Sequence, residues 1–471
     1  MAAVETGKVK ILPWNGANFP TTCYITQNQA EQLKLIQYSS VQMNFGLVKV
    51  SANLKIIPEE TSAEVGKLYL SKDILQKLHL PQNGNFGLII NNNCLSFGPL
   101  IGVFVSGLEI KKLGQGTSKN VKYYTYTRVC KRLRGICCFF GVNDIDWEHR
   151  LVRGWILNDN SKKGKRWVLK TFPLPMVIYD RCFGTNAQRD GYMLRARLKN
   201  VPGSVVFNAM PKLRKWPTYQ LFVKNPKLAP HLPKTSTYLT GEDLTKALMR
   251  LDRVYLKPNG LSKGNGVFRV AGNFKGLVVE HRGPRGNEVN QLRTPEQLNK
   301  LLTPFIKRGR GYLIQQEIPL AKYKGNPFDM RVLCQKDITG KWIIAGIAVR
   351  IAASGSIITS PRSGGSVTSW PNALKTVFNQ QEDTPNGVAA RVTKVALEVC
   401  HTIEKHYGLC GELGLDIGVD HSGNVWIIEV NGKPLKVSLE RLNFPELTES
   451  IYANPIKFAC SLASRQILGV N

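Results

Sequence analysis

Apolar and polar residues repeat in a fixed order over the first hundred residues. Two apolar strands end in a hydroxyl residue, Thr26 and Ser71, and each is followed by a short helical pattern and another strand. The two copies are offset by 45 residues. Hydroxyl side chains favour helix N-caps, and alternation with period two favours strands. We therefore predict a β-rich repeat module over residues 1–98, with a double-psi-like barrel as the hypothesis. Because it shows no catalytic constellation, we expect a binding or docking role.

Strands and helices alternate over residues 99–205. Apolar runs at 99–105 and 136–141 flank a basic helical stretch, and a third apolar run ends at Asp180 and Arg181. This alternation predicts an α/β domain with a parallel sheet. Ligands of such sheets gather at the carboxyl ends of the strands, where these two charged residues would lie. A simple local ion pair is the alternative interpretation.

The pattern of residues 206–471 points to phosphate chemistry. Lys257 ends a strand, the loop 259–266 contains three glycines, and a further strand begins at Phe268. Glycines let backbone N–H groups fold over phosphates, so a strand–loop–strand of this kind suits a phosphate flap. A plain hairpin is the alternative for this piece alone.

Three further strands carry polar residues near that loop. The strand 312–319 ends in Gln-Glu-Ile, which could present backbone groups and a carboxylate to adenine or ribose. Alternation places Asp329 and Arg331 on one face of the next strand, and Arg350 closes another. Arginine binds phosphate or carboxylate in a bidentate manner, so both arginines are candidate catalytic residues.

The most specific pattern is a hairpin rich in oxygen ligands. Asp416 lies on one strand, and Glu429 and Asn431 share a face of the next strand. Two carboxylates and an amide oxygen are hard ligands that suit Mg²⁺ bound to ATP phosphates. Buried among isoleucine and valine, the carboxylates would be costly without a cation.

In this order, the pieces resemble the ATP-grasp fold, and more closely the YheC/YheD family of endospore coat-associated ATP-grasp proteins. RimK-type amino-acid ligases are similar over the ATP-grasp part. The resemblance extends upstream of that part through motifs at 98–102, 172–175, 178–181, 207–208, 215–216 and 232–235. It implies an α/β chain in which a barrel-like domain (1–98) and a pre-ATP-grasp domain (99–205) precede an α+β ATP-grasp core (206–471), whose two subdomains clamp ATP.

The resemblance also implies roles for single residues. Arg331 and Arg350 would stabilise the transferring phosphoryl group, and Asp416, Glu429 and Asn431 would bind one or two Mg²⁺, with Mn²⁺ as a substitute. The implied ATP-binding residues are Lys215, Lys257, Ser262, Gly264, Gly266, Gln316, Glu317, Ile318 and Asp329. RimK-type ligases carry Arg-Ser-Asn where this chain has residues 358–360, so the contacts to an acceptor stay open.

The net charge narrows the choice of partners. The 471 residues include 64 Lys and Arg against 33 Asp and Glu, which gives +31. Residues 101–240 alone carry 26 basic and 7 acidic side chains. This excess predicts a surface for a polyanion or an acidic substrate, and a solvated basic face is the alternative. Nucleic acid is not favoured, because no recognition-helix, zinc-finger or RNA-recognition signature is present.

Cysteine spacing and hydropathy exclude other classes. The ten cysteines form no CxxC pair, so we expect free buried thiols in a reducing cytoplasm. No apolar run approaches the roughly 18 residues that span a bilayer, and no signal peptide is readable. We therefore expect a cytoplasmic protein, associated by resemblance with the mother cell or the spore.

Three functions remain in order of preference. The first is an ATP-dependent carboxylate–amine ligase that forms an acyl phosphate and acts on a peptide or acidic acceptor. The second is a non-catalytic ATP-binding coat or assembly protein, and the third is a nucleic-acid-binding ATP switch. The complete set of candidate residues favours the first, since a decayed site would lose some of them. The donor, the acceptor and the oligomeric state are not specified.

Overall fold

The computed structural model describes residues 5–16, 19–58, 66–81, 84–116, 121–158, 166–183, 187–210, 212–261, 264–273, 276–283, 286–309, 311–359, 361 and 364–469. Within them, the chain forms four β-sheets with helices between and around them. The predicted α/β class is confirmed. The division into units at residues 98 and 205 stays a prediction.

The first sheet is a closed barrel of seven strands in the order β1-β5-β2-β4-β3-β7-β6, which confirms the barrel-like N-terminal region. Its elements are β1 (Glu5–Pro13), β2 (Thr22–Thr26), α1 (Gln27–Gln32), β3 (Ser40–Phe45), β4 (Val48–Ile57), β5 (Lys67–Leu70), α2 (Lys72–Lys77), β6 (Asn85–Asn91) and β7 (Cys94–Gly98). The starts of β2, α1 and β3 lie 45 residues before those of β5, α2 and β6, as the sequence repeat predicts.

The two hydroxyl residues of the repeat, Thr26 and Ser71, make different hydrogen bonds. Thr26 accepts a hydrogen bond from the Gln29 amide at 3.4 Å and so caps α1. Ser71 makes no such cap on α2; its hydroxyl accepts from the Thr22 amide at 3.1 Å instead. The second cap was wrongly predicted, because a long-range partner competes with the helix for the same oxygen.

The second sheet lies between two hydrophobic cores. Its elements are β8 (Leu100–Phe104), α3 (Gly107–Gly114), α4 (Val121–Arg132), β9 (Ile136–Phe140), β10 (Ile145–Asp146), β11 (Leu151–Leu157), β12 (Trp167–Pro173), β13 (Val177–Asp180), α5 (Ala187–Leu198) and β14 (Val205–Phe207). The strand order is β10-β11-β9-β8-β13-β14, and β9, β8, β13 and β14 run parallel as predicted. Alternation sends Phe140 and Ile178 into the core shared with the barrel. It sends Phe139 and Tyr179 into the core shared with the C-terminal helix.

The third sheet has a core of its own. Its order is β15-β20-β16-β17-β18-β19. Its elements and those that lead into it are α6 (Lys215–Val223), β15 (Thr235–Tyr238), α7 (Gly241–Leu248), β16 (Arg253–Pro258), β17 (Phe268–Asn273), β18 (Gly276–Gly283), β19 (Gly286–Leu292), α8 (Pro295–Gly309) and β20 (Tyr312–Gln316). Leu244 of α7 and Leu298 of α8 are fully buried against Val254 and Ile314 in this separate cluster.

The fourth sheet has the order β24-β23-β22-β25-β26, with β21 beside β22. Its elements are β21 (Lys322–Tyr323), β22 (Asn326–Lys336), β23 (Trp342–Ile351), β24 (Ser366–Ser369), α9 (Trp370–Ala373), α10 (Val388–Tyr407), β25 (Glu412–Val419), β26 (Val425–Asn431), α11 (Val437–Glu440) and α12 (Pro445–Leu468). Helix α10 covers one face through residues such as Val392 and Val399. Helix α12 covers the other face and packs with Ile456 and Ala459 against the second sheet.

A buried ion cluster joins the second and fourth sheets. Glu412 is fully buried at the start of β25. It accepts from the Arg181 guanidinium at 2.6 Å and from the Tyr179 hydroxyl at 2.6 Å, and Lys436 lies 2.9 Å away. Burial alone would raise the pKa of Glu412, but Lys436 and Arg181 lower it to about 2. Glu412 is therefore ionised and paired in the folded protein.

Replacing Glu412 with Gln should destabilise the protein strongly. The substitution keeps the shape of the side chain but leaves Arg181 and Lys436 buried without their anion, which costs about 3–5 kcal/mol. Urea unfolding measures the loss. The matched control is Glu242→Gln, which removes the carboxylate of an exposed pair with Lys246 at 2.6 Å and should change the stability little. Equal losses in the two variants would contradict a special role for the buried cluster.

Candidate functional site

The pairing of β22, β23, β25 and β26 gathers the predicted polar residues on one face of the fourth sheet. Asp329 stands opposite Arg350 across β22 and β23, and Arg331 stands opposite Asp416 across β22 and β25. Asp416 in turn stands opposite Glu429 across β25 and β26. Side chains directly opposite each other in antiparallel strands share a face, so these residues form one polar surface.

Four of these residues form a compact ion network. Arg331 donates to Asp416 through Nε at 2.7 Å and through Nη2 at 3.3 Å. Arg350 donates to Asp329 through Nε at 2.7 Å and also lies 3.2 Å from Asp416. Paired guanidinium and carboxylate groups fix each other's orientation, so both guanidinium groups are oriented by the protein itself.

The opposite charges of the network stabilise each other's ionised forms. Burial alone would raise the pKa of Asp416, but the guanidiniums of Arg331 and Arg350 hold that pKa below its usual value. Burial alone would lower the pKa of Arg350, but the carboxylates of Asp329 and Asp416 raise it. Asp416 and Arg350 are therefore charged near neutral pH.

Two lysines approach the same cleft from other elements. Lys257 is the penultimate residue of β16 in the third sheet and donates to Oε1 of Gln315 at 2.5 Å. Lys215 begins α6 and lies 3.4 Å from the Glu429 carboxylate. Its ammonium group also donates to the Leu261 carbonyl at 2.8 Å, which ties α6 to the glycine loop.

The glycine loop needs glycine at two of its positions. Gly264 and Gly266 have φ angles of +73° and +69°, in the left-handed region. A Cβ atom on Gly264 would stand 2.8 Å from the Ile358 side chain, and one on Gly266 would stand 2.9 Å from Phe305. The contact with Ile358 shows that the loop reaches the segment that follows β23. Ser262, also predicted to bind ATP, lies outside the described residues.

The predicted adenine segment follows β20. The Gln316 side-chain oxygen accepts from the Lys234 amide at 3.2 Å, and the Ile318 carbonyl accepts from the Leu320 amide at 2.8 Å. Glu317 pairs with Arg269 at 3.2 Å. A nucleotide that used the Glu317 carboxylate would therefore compete with this arginine.

The donor set fits a divalent cation bound together with phosphate. Glu429 stands opposite Asp416, and Asn431 stands two residues further along β26, opposite Gly414. The described residues contain no cluster of three or more His, Cys, Asp and Glu side chains that could hold a metal. A cation here would thus take the Asn431 amide and phosphate oxygens besides the two carboxylates, which is how Mg²⁺ is usually held beside a nucleotide.

The sequence comparison decides the family. A model of the family described as YheC/D like ATP-grasp matches residues 203–462. The chain belongs to this ATP-grasp family. Endospore coat-associated protein YheD of Bacillus subtilis (strain 168) is 27% identical over 408 residues, 84% of this chain and 86% of that protein. Endospore coat-associated protein YheC of the same strain is 23% identical over 306 residues, 64% of this chain and 81% of that protein.

Solved structures are similar at lower sequence identity. VanG D-Ala:D-Ser ligase from Enterococcus faecalis has a TM-score of 0.46 and 13% identity, over 78% of this chain and 99% of that chain. D-alanyl-alanine synthetase A from Vibrio cholerae has a TM-score of 0.43 and 12% identity, over 79% of this chain and 98% of that chain. Among the described residues of this ATP-grasp chain, no helix is long and apolar enough to cross a membrane.

The described cysteines of this ATP-grasp protein are all free thiols, and nine of them are buried; Cys94 is half-buried. The predicted absence of disulfides among them is confirmed. Burial raises the pKa of the Cys138 thiol to about 12, so this thiol is neutral and unreactive.

Two residues that support the candidate site were not predicted from the sequence. Gln315 holds the ammonium of Lys257, but the local pattern singled out only the Gln-Glu-Ile that follows it. Asn208 lies in the motif at 207–208, to which no role was assigned. Its carbonyl oxygen accepts from the amides of Gly411 and Glu412 at 2.7 and 3.1 Å, and its amide group donates to the carbonyls of Glu412 and Gly432 at 2.7 Å each. It thus joins both ends of the hairpin that carries Asp416.

Mg-ATP affinity should fall as the pH rises through about 8. Burial, with a contribution from nearby Lys215, lowers the pKa of Lys257 to about 8. The neutral amine that forms at higher pH attracts phosphate less, so affinity should drop by about tenfold between pH 7 and pH 9. Calorimetric titration at each pH measures the Mg-ATP affinity. Lys257→Arg keeps its charge over this range and should give a nearly flat profile. The same slope in both proteins would exclude Lys257 as the titrating group.

Replacing Asn208 with Ala should lower the free energy of unfolding by about 2–5 kcal/mol, because it leaves several buried backbone groups without partners. Since the φ of Asn208 is +56°, the alanine also adds left-handed strain. Asn208→Gly removes the hydrogen bonds without the strain and serves as the control. Urea unfolding of both variants separates the two effects. A glycine variant as stable as the native protein would show that the hydrogen bonds are dispensable.

Proposed function

We propose that the protein is a Mg-ATP-dependent carboxylate–amine ligase that acts through an acyl phosphate on a peptide or acidic acceptor. One observation carries this proposal. Arg331 and Arg350 are held by carboxylates on the same sheet face as Asp416, Glu429 and Asn431. Guanidinium groups fixed beside a Mg²⁺-type donor set suit the charge that develops when a phosphoryl group moves between two oxygens.

The proposed reaction has two chemical steps. A carboxylate oxygen of the donor substrate attacks the γ-phosphorus of ATP, the bond from that phosphorus to the bridging oxygen breaks, and ADP leaves. The nitrogen of an amine then attacks the acyl carbon of the acyl phosphate, inorganic phosphate leaves, and the amine proton passes to solvent. Neither step needs a nucleophile from the protein.

The chain's own residues would bind and orient the reactants. Lys257, Lys215 and the loop with Gly264 and Gly266 would hold the ATP phosphates. Gln316, Glu317 and Ile318 would hold adenine, and Asp329 or Glu317 the ribose. Asp416, Glu429 and Asn431 would hold one or two Mg²⁺, or Mn²⁺, which neutralise phosphate charge when bound. Arg331 and Arg350 would stabilise the transferring phosphoryl group.

A second candidate is an ATP-binding coat or assembly protein without catalysis. The names of the two relatives, both endospore coat-associated, favour it. They also support sporulation as the setting of either function, with spore-coat proteins as partners and the mother-cell cytoplasm as the location. The ligase is preferred, because a purely structural ATP site needs no pair of arginines fixed at the carboxylates of the metal site. A nucleic-acid-binding ATP switch is the third and least supported candidate function.

Purified protein with Mg-ATP should release phosphate when the correct carboxylate and amine are present. Extract of sporulating cells supplies both, and mass spectrometry should detect a product whose mass is the sum of the two substrates less one water. A panel of acidic peptides and amino acids then identifies the substrates by ADP and phosphate release.

Glu429→Gln serves as the inactive variant. It keeps the side-chain shape but removes a metal-ligand charge, so phosphate release should fall by at least about 100-fold. The control is Glu398→Gln on α10, which loses a carboxylate 3.4 Å from Lys227, outside the site. If the native protein binds Mg-ATP but yields neither phosphate nor product, the assembly protein replaces the ligase. An unchanged Mg-ATP affinity in Glu429→Gln would refute the metal assignment.

A further inference from the structure

The chain segment 432–435 is tied to both the second and the fourth sheets. It directly follows Asn431, a residue of the proposed metal site. Three of its carbonyl oxygens accept hydrogen bonds from side chains: that of Gly432 from Asn208 at 2.7 Å, that of Pro434 from Arg181 at 3.2 Å and that of Leu435 from Arg331 at 3.5 Å. A group bound by a side chain of this segment therefore lies next to the proposed ligase site.

One side chain of the segment, Lys433, reaches a buried carboxylate at the carboxyl end of β13. This carboxylate belongs to Asp180, which is fully buried. Its Oδ1 accepts from the Lys433 ammonium at 2.6 Å and from the Cys182 amide at 3.0 Å. Arg195 of α5 approaches the other oxygen, with 3.7 Å between Nη1 and Oδ2. Two cations from separate elements thus meet at one carboxylate.

The three charged groups retain hydrogen-bonding capacity. Among the described residues, Oδ2 of Asp180 has no hydrogen-bond partner. Within the same part of the chain, the Arg195 guanidinium makes an ion pair but no hydrogen bond, and Lys433 uses one of its three ammonium donors. The Lys433 and Arg195 side chains are 16% and 23% exposed. Because polar groups with so little access to water are normally hydrogen-bonded, the unused donors indicate a place for a ligand.

Helix α5 carries a glycine in its interior where Arg195 passes. Glycine weakens a helix, so an interior glycine usually has a packing or functional reason. A Cβ atom on Gly191 would stand 3.1 Å from Nη1 of Arg195 and 3.6 Å from Oδ2 of Asp180. The glycine therefore leaves the room that the guanidinium occupies beside the carboxylate.

The local charge favours an anionic ligand. Lys433 and Arg195 stand against the single carboxylate of Asp180, which leaves one positive charge. The nearby carboxylate of Asp190 pairs with Arg189 at 3.4 Å, so that pair adds no net charge. Burial lowers the pKa of the Lys433 ammonium, and the Asp180 carboxylate opposes this shift. The carboxylate thus both orients the lysine and favours its charged form.

We propose that Lys433 and Arg195, aligned by Asp180, bind a carboxylate of the acidic substrate, one that takes no part in the reaction. This inference rests on the proposed ligase function. A guanidinium binds a carboxylate through two parallel hydrogen bonds. Lys433 follows Asn431 by two residues, which span about 7 Å at most, so a substrate held here reaches the phosphoryl group.

A phosphate of ATP is the other source of such an anion. The residues proposed to hold the ATP phosphates include Lys257 and the glycine loop, which belong to the third sheet. Arg195 and Asp180 instead follow strands of the second sheet or end one. The pair is therefore assigned to the substrate, and phosphate becomes an outcome of the test.

Chemical modification of the full-length protein tests the assignment. Phenylglyoxal reacts with accessible arginines, and peptide mass spectrometry follows Arg195 and, as an internal control, Arg189 on the same helix. The probe is the dipeptide Glu-Glu, which should slow modification of Arg195 at least about fivefold and leave that of Arg189 unchanged. Gln-Gln with an amidated C-terminus has the same shape without carboxylates and should protect neither. Mg-ATP alone should also leave Arg195 as reactive as before.

Two variants of Arg195 and one control measure the affinity for Glu-Glu by calorimetric titration. Arg195→Gln leaves the pair of Lys433 with Asp180 intact and should weaken binding by about tenfold. Arg195→Lys restores the charge and should recover part of the affinity. The control, Arg189→Gln, removes an arginine that is 71% exposed and should bind Glu-Glu like the native protein.

Equal reactivity of Arg195 with and without Glu-Glu, or equal protection by Gln-Gln amide, would overturn the proposal. Protection by Mg-ATP alone would overturn it in favour of a phosphate subsite. The readout is independent of catalysis. Phosphate release without protection of Arg195 would leave the ligase standing and remove this inference, whereas protection without phosphate release would support the carboxylate site and count against the ligase.

Discussion

The buried carboxylate of Glu412 is the constraint on which the geometry of the site depends. It is paired with Arg181 from the second sheet and with Lys436 from the segment that follows the fourth sheet. Because a buried charge without a partner is costly, neither sheet can shift without breaking these bonds. Glu412 begins the strand that carries Asp416 four residues later, so the cluster fixes the position of this candidate site residue. The hydrogen bonds of Asn208 to the carbonyls of Glu412 and Gly432 also hold this strand in place.

The molecule divides into a large part with connected cores and a smaller part around the third sheet. Helix α12 packs on both the second and the fourth sheet, so these layers share one core. The third sheet has its own core and meets the rest of the cleft through contacts such as Lys215 with the Leu261 carbonyl. Units with separate cores commonly move relative to one another.

Local sequence patterns predicted the strands and the residues that each strand carries. They also predicted a hairpin that brings Asp416 across from Glu429 and Asn431, and the structure pairs Asp416 with Glu429. They could not show that Arg331 pairs with Asp416 or that Asn208 joins Gly411 to Gly432, since those partners are far apart in the chain. Such pairings follow from the order of strands in a sheet, which alternation alone does not specify. Sequence motifs therefore named most residues of the candidate site, whereas the groups that hold them in place appeared only in the structure.

The basic excess of the middle region has a partly structural explanation. Arg128 and Arg132 of α4 both lie near Glu449 of α12, at 3.2 and 3.4 Å. These pairs are exposed and stabilise the fold by under about 1 kcal/mol each, but they take two charges away from any ligand. Arg181 is buried and pairs with Glu412 through Nη1 at 2.6 Å. The densest run, residues 162–166, lies outside the described residues except for Arg166. The net charge of this region thus overstates the cationic surface available to a polyanion.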